Sequence, residues 1–166
     1  MKKQLLHSGW QLTTVGKNDT IPATVPGSVY NDLLNAGRME DPYWRDNEMK
    51  ALALMDEDYR YNTTFDVNAD VLNSERVLLR CEGLDTIADI VLNGEKIASV
   101  CNMHRTWEFD VKDSLKTTGN TLEIVFHSPT KYIKEQDKIC HAGGSDEAMV
   151  GFPNLRKAHC MFGWDW

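Results

Sequence analysis

Ile87-Ala-Asp-Ile-Val-Leu-Asn93-Gly94-Glu-Lys-Ile-Ala-Ser-Val100 reads as a β-hairpin. Asn-Gly accepts the positive φ angles of a two-residue type I′ turn, and the apolar runs on either side supply the strands it joins. Working outward, Tyr59, Tyr61, Thr63 and Phe65 alternate with Arg60, Asn62, Thr64 and Asp66. Successive side chains of a strand point to opposite faces, so this period of two predicts a half-buried strand. Residues 76–81, 106–111 and 121–126 extend the series to at least five strands, with Gly119-Asn120 as the turn before the last. Short strands at this spacing predict a mainly β fold, an antiparallel β-sandwich with a few short helices.

The chain before Tyr59 reads as helical and loopy. Ser28 caps a short helix that Gly37 closes, with Val29, Leu33 and Leu34 on one face. Residues 47–56 predict a second helix whose apolar side is Met49, Leu52, Leu54 and Met55. After Pro129 the β pattern ends, a helix is predicted over 131–139, and residues 140–151 read as a long loop.

Composition excludes several classes. The 166 residues suit a single domain with its own core. Hydrophobic content of 42% and charged content of 26% match a globular protein. A net charge of −7 without a Lys/Arg cluster argues against nucleic acid. No apolar run approaches the roughly 20 residues that span a bilayer, so no membrane partner is expected. Met1-Lys2-Lys3-Gln4-Leu5-Leu6-His7 lacks the apolar run of a signal peptide, which makes the cytoplasm the expected location. Four cysteines, at 81, 101, 140 and 160, follow no disulfide or zinc spacing, in keeping with a reducing compartment.

The functional candidates cluster at the end of the sequence, in Phe162-Gly163-Trp164-Asp165-Trp166. A carboxylate between two indoles suits a sugar: the acid accepts ring hydroxyls while an indole face covers the C–H surface. Buried interdomain packing is the plainer alternative for Trp164 and Trp166. Two large aromatics are unusual at a terminus, so a natural chain continuing beyond Trp166 is expected. Arg156 is a second-rank candidate, either steering Asp165 or lying free as a surface charge. Cys140-His141 and His159-Cys160 place ligand types side by side, a spacing that chelates one ion poorly, and no metal is expected. The acids near Gly143 lack the twelve-residue alternation of a calcium loop. Asp41-Pro42-Tyr43-Trp44 reads as a structural plug rather than a ligand contact. Arg105 and Trp107 read as sandwich framework, and Asn93-Gly94 as turn chemistry only.

Five motifs in order carry a family resemblance. Ala23-Thr-Val-Pro-Gly-Ser-Val-Tyr-Asn-Asp-Leu-Leu34 and Asp41-Pro-Tyr-Trp-Arg-Asp-Asn-Glu48 resemble the opening of the β-mannosidases of glycoside hydrolase family 2. Glu82-Gly-Leu-Asp-Thr-Ile-Ala-Asp-Ile-Val-Leu-Asn-Gly94 is similar to their "GLDT…LNG" hairpin, and residues 102–111 to the stretch after it. Arg156-Lys-Ala-His-Cys-Met-Phe-Gly-Trp-Asp-Trp166 resembles "RKAQ…FGWDWGP" without its last two residues. The resemblance implies a galactose-binding-like jelly roll over residues 1–166, ahead of immunoglobulin-like domains and a catalytic (β/α)8 barrel. It implies a parent enzyme that is a retaining exo-hydrolase of terminal β-mannosides, with its two catalytic carboxyls on the barrel and none in this chain. Residues 1–166 alone would then be inert, with no cofactor. The partners implied are the mannoside substrate and the missing barrel. Asp165 would bind hydroxyls of the terminal sugar, Trp164 would wall it, and Trp166 would pack at a domain boundary. Two alternatives stay open at this level: a self-sufficient carbohydrate-binding module, and the matching domain of a β-galactosidase or β-glucuronidase.

Overall fold

The computed structural model of the chain describes residues 2–143 and 149–162. Eight strands are formed: β1 (Gln11–Thr14), β2 (Thr20–Pro22), β3 (Tyr59–Phe65), β4 (Leu78–Glu82), β5 (Ile87–Leu92), β6 (Glu95–Cys101), β7 (Thr106–Asp110) and β8 (Asn120–Phe126). Every pairing is antiparallel, in a six-stranded sheet ordered β2-β1-β3-β8-β5-β6 and a two-stranded sheet of β4 and β7. The helices are α1 (Val29–Asn35), α2 (Asn47–Ala53), α3 (Ala69–Leu72) and α4 (Pro129–Ile139). The mainly β, antiparallel sandwich expected from the sequence is the observed fold.

Strand β3 buries Tyr59, Tyr61 and Thr63, as its alternation requires. β8 runs between β3 and β5 and turns Leu122 and Ile124 into the same core. Ile90 and Ala88 of β5 meet them there. Complete removal of a Leu or Ile side chain from water contributes about 1.5–3 kcal/mol, so this inner row carries much of the stability. Leu79, Trp107 and Phe109 of the small sheet pack on the cluster from the other side. The predicted strand over 76–81 is displaced to Leu78–Glu82, although Val77 still accepts from the amide of Val111 at 2.9 Å.

Strands β1 and β2 correct the helical and loopy reading of the first part. In β1, Leu12, Thr13 and Thr14 are all buried, so no alternation is visible to the eye. The two strands are tied side to side by the Thr13 and Thr20 hydroxyls at 2.9 Å. Helix α1 forms where predicted, with the Ser28 hydroxyl accepting from the amide of Asn31 and Gly37 at φ 66°. Of its predicted apolar face, however, Leu33 is buried and Leu34 is exposed. A Cβ on Gly27 would overlap the carbonyl oxygen of Thr24, which is why the chain entering α1 needs glycine there. Helix α2 departs from expectation in its facing. Ala51 is its buried residue, with the Tyr30 hydroxyl on its carbonyl at 2.8 Å, while Met49 and Leu52 are exposed.

Two polar devices tie the layers. Asp32 of α1 is buried; its Oδ2 accepts from the Tyr61 hydroxyl at 2.8 Å and its Oδ1 from the Thr24 amide at 3.0 Å. Burial first, and then the bond to Asp32, push the Tyr61 phenol far up. At the opposite edge, His127 lies between Asp58 and Asp89, each ring nitrogen 3.1 Å from a carboxylate oxygen. Asp89 also accepts from Ser99 at 2.6 Å and from Lys96 at 2.8 Å. Burial opposes its charge, but the bonds from Lys96, Ser99 and His127 prevail and hold its carboxyl down at about 2. Burial likewise opposes the imidazolium, and the two facing carboxylates prevail, raising His127 above its ordinary 6.5.

Tyr61→Phe strands a buried carboxylate oxygen, and a loss of about 1–3 kcal/mol in urea unfolding is expected. The His127 cluster gives a pH signature. A raised histidine contributes stability that is full below 6.5 and lost as pH climbs through its folded value, whereas lowered Asp58 and Asp89 contribute above 3.8 and fade as pH falls below it. His127→Gln is therefore expected to lower the urea midpoint most between these limits, with the difference from the parent chain shrinking toward pH 9.

Candidate functional site

Strand register brings two loops to one end of the sandwich. Glu82 pairs with Thr106 and Ile87 with Cys101, so loop 83–86 and loop 102–105 leave the two sheets side by side. The first holds Asp85, joined to Thr86 by a cis peptide. The second is turned by the Asn102 side chain, which accepts from the amide of His104 at 2.9 Å. Arg105 stacks over Trp107 at 4.4 Å, and the Trp107 indole N–H donates to the carbonyl of Asn102 at 3.2 Å. This is the framework role that the sequence assigned to the pair.

The C-terminal segment lies across both loops. It starts at Gly151, whose φ is 80° and whose hypothetical Cβ would stand 3.2 Å from the Ile133 carbonyl and 3.2 Å from the Asp137 Cβ on α4. Only glycine allows that turn so near a helix. Phe152 and Leu155 then enter the interior. Beyond them the Met103 amide donates to the Arg156 carbonyl at 3.1 Å, and the Ala158 amide meets the Met103 sulfur at 3.0 Å. The Lys157 ammonium donates to Asp85 Oδ2, while the Thr86 hydroxyl donates to Asp85 Oδ1. Both carboxylate oxygens of Asp85 are thereby engaged. A 3-10 turn, His159–Phe162, completes the described segment, with His159 edge-on to Phe152 and Phe162 tilted against it, at centroid distances of 5.1 and 5.2 Å. A cleft of about 250 Å³ remains beside it, lined by His104 and residues 155–159.

Arg156 is exposed on this cleft, and among the described residues it joins no ion pair. Asp165, Trp164 and Trp166 lie outside the described residues. Sequence reasoning missed Asp85, Met103 and Lys157 as partners. Asp85 and Lys157 each stood in a quoted motif, but their pairing spans 72 residues and leaves no local signal.

The aromatic loop at 41–44 is a correction. Tyr43 is 96% exposed and Trp44 64% exposed, so the loop plugs nothing among the described residues. Asp41 organises it, accepting from the Tyr43 amide at 3.0 Å on its side chain and from the Trp44 amide at 3.1 Å on its carbonyl. Those local bonds, not burial, hold it in place. By contrast, of the strand aromatics Tyr59 and Tyr61 are buried in the core, and Phe65, Trp107, Phe109 and Phe126 are half-buried and packed against it.

The family described as Glycosyl hydrolase 2 galactose-binding domain-like matches residues 10–166. The chain belongs to this family. It is 32% identical to the beta-mannosidase of Bos taurus and 35% identical to beta-mannosidase A of Emericella nidulans, over 97% and 95% of its own length. It spans only 19% and 17% of those proteins, about a fifth of each. Among solved structures, the beta-D-mannosidase of Dictyoglomus thermophilum superposes with a TM-score of 0.84 at 35% identity, covering 97% of this chain and 20% of that one. A jelly roll of the galactose-binding-like kind is therefore the fold, and the region it corresponds to is one part of larger glycosidases.

Of the described tryptophans, Trp44 alone is widely open to solvent, while Trp10 is buried. Acrylamide quenching of the indole fluorescence is accordingly expected to fall in Trp44→Phe and not to fall in Trp10→Phe.

Proposed function

We propose that the chain is the N-terminal, non-catalytic domain of a retaining exo-β-mannosidase, lending Asp165 to a sugar site completed by a separate catalytic barrel. The observation that carries this reading is similarity along 97% of the chain to beta-mannosidases of which it makes up about a fifth. In such an enzyme a nucleophilic carboxylate and an acid/base carboxyl, roughly 5–5.5 Å apart, flank the scissile bond. Both belong to the barrel. The part left to this domain is binding and orientation of the terminal mannose. The Asp165 carboxylate accepts two hydroxyl hydrogens in bidentate fashion, and Trp164 covers the C–H face of the ring. Trp166 packs at the domain boundary, and Arg156 supplies a cation on the same segment.

The packing of the strand aromatics in or against the core supports this reading over a free-standing carbohydrate-binding module, which needs such rings displayed on an open sheet face. One lost charged hydrogen bond costs about 1.5–3 kcal/mol, which corresponds to roughly ten- to hundredfold in rate. In the full-length enzyme, Asp165→Asn is expected to lower kcat/KM on an aryl β-mannoside by that factor with unfolding unchanged. Residues 1–166 alone are expected to release no nitrophenol in the same assay. Unchanged kinetics in Asp165→Asn would remove the sugar-ligand role.

A further inference from the structure

Helix α2 and the loop before it present an apolar face to solvent. Met49 and Leu52 stand three residues apart, on one side of the helix, and both are exposed. Tyr43 and Trp44 lie just ahead of them and are exposed as well. Among the described residues none of the four joins the hydrophobic core, which takes Leu54 from the same stretch instead. Leu52 carries the face into a groove of about 570 Å³, lined also by the exposed Val150 and by Ile133 of α4, which is buried. Single apolar side chains are ordinary on a surface, but a row of them along one loop and helix marks a contact surface.

The face is already ordered. Asp41 accepts from the Tyr43 amide on its side chain at 3.0 Å and from the Trp44 amide on its carbonyl at 3.1 Å. The Asn47 side chain donates to that same carbonyl at 3.0 Å, and the Asn47 amide donates to the Trp44 carbonyl at 3.2 Å, which ties the loop to the first residue of α2. Arg45 stands at φ 55°, a left-handed conformation uncommon for a residue with a side chain, and its guanidinium lies 5.6 Å from the Trp44 ring centre. A surface held in this way loses little freedom when a partner covers it. Tyr, Trp and Met are enriched at the centres of protein–protein interfaces. Met49 and Leu52 offer nothing to the hydroxyls of a sugar, which favours a protein surface as the occupant.

We infer that this face docks against another domain of the same polypeptide, one that presents an apolar surface to Trp44, Met49 and Leu52. The inference rests on the reading of the chain as one domain of a larger glycosidase. The chain makes up 19% of the bovine protein and 20% of the solved Dictyoglomus thermophilum enzyme, so most of such a polypeptide lies outside this structure. A domain tethered in the same chain meets the face at high effective concentration, and a patch of modest size is then enough to hold it.

The test is hydroxyl-radical footprinting of the full-length enzyme beside residues 1–166, with oxidation at each tryptophan and methionine read by mass spectrometry. In residues 1–166, Trp44 and Met49 are expected to oxidise readily while the buried Trp10 resists, which reports that the domain is folded. In the full-length enzyme Trp10 still resists, and Trp44 and Met49 are expected to slow by about fivefold or more, as residues at a desolvated interface centre do. Should Trp10 be open in residues 1–166, the urea-unfolded full-length enzyme becomes the reference, with the same threshold. A smaller slowing overturns the inference. So does protection that vanishes when the enzyme is diluted to single chains, which assigns the face to a second copy. Protection that requires added mannobiose overturns it too, and assigns the face to sugar. Rapid Trp44 oxidation in an enzyme that cleaves an aryl β-mannoside defeats the docking alone. Slow oxidation in an enzyme without that activity leaves the docking standing and defeats the mannosidase reading.

Discussion

Asn120 is completely buried, and its amide has no water to turn to. Its Nδ2 donates to the carbonyl of Lys116 at 2.7 Å and to that of Phe65 at 3.4 Å; its Oδ1 accepts from the Lys116 amide at 2.8 Å and from Asn93 Nδ2 at 3.0 Å. A buried amide left short of one partner costs more than a satisfied one contributes, so this arrangement admits a single register. It opens β8, the strand with β3 on one side and β5 on the other. A slip of one residue there would turn Leu122 and Ile124 to the opposite face of the sheet.

From that register the rest follows in steps. Asn93 donates to Asn120 and to the Ser114 carbonyl, and accepts from the Thr121 amide at 2.9 Å, so the β5–β6 turn is anchored to the start of β8. With β5 set, Ile87 and Cys101 fall opposite one another, and the loops carrying Asp85 and Met103 emerge together. The terminal segment then has a surface on which to dock. At the far end of β8, His127 and its two aspartates close the same strands with charge, and at the α1 side Asp32 does so with a buried hydrogen bond.

Much of this was legible in the residues. Asn93-Gly94 predicted a type I′ turn, and φ values of 53° and 85° are what the structure holds. The Asn93 side chain, read as turn chemistry only, has a second duty in the Asn120 network, which no local pattern announces. Gly119-Asn120 reads as a turn in the sequence, yet only Gly119 turns, and Asn120 is the first residue of its strand. β1 escaped notice because three successive residues are buried, which erases the period of two. The predicted apolar face over 47–56 is right at Leu54, which packs against the core from the 3-10 turn after α2, and wrong at Met49 and Leu52, which look outward.

The sequence by itself determined the local elements: alternation made the strands, Asn-Gly made the hairpin, Ser28 and Gly37 bounded a helix, and five motifs in order indicated the family. These are properties of neighbours in the chain, governed by backbone sterics and by which face of an element repels water. Only the tertiary structure decided which loops share an end, that Lys157 and Asp85 meet across 72 residues, and that Tyr43 and Trp44 stand in solvent. Contacts of that kind depend on strand register and on the layer opposite. No spacing within a single segment encodes them.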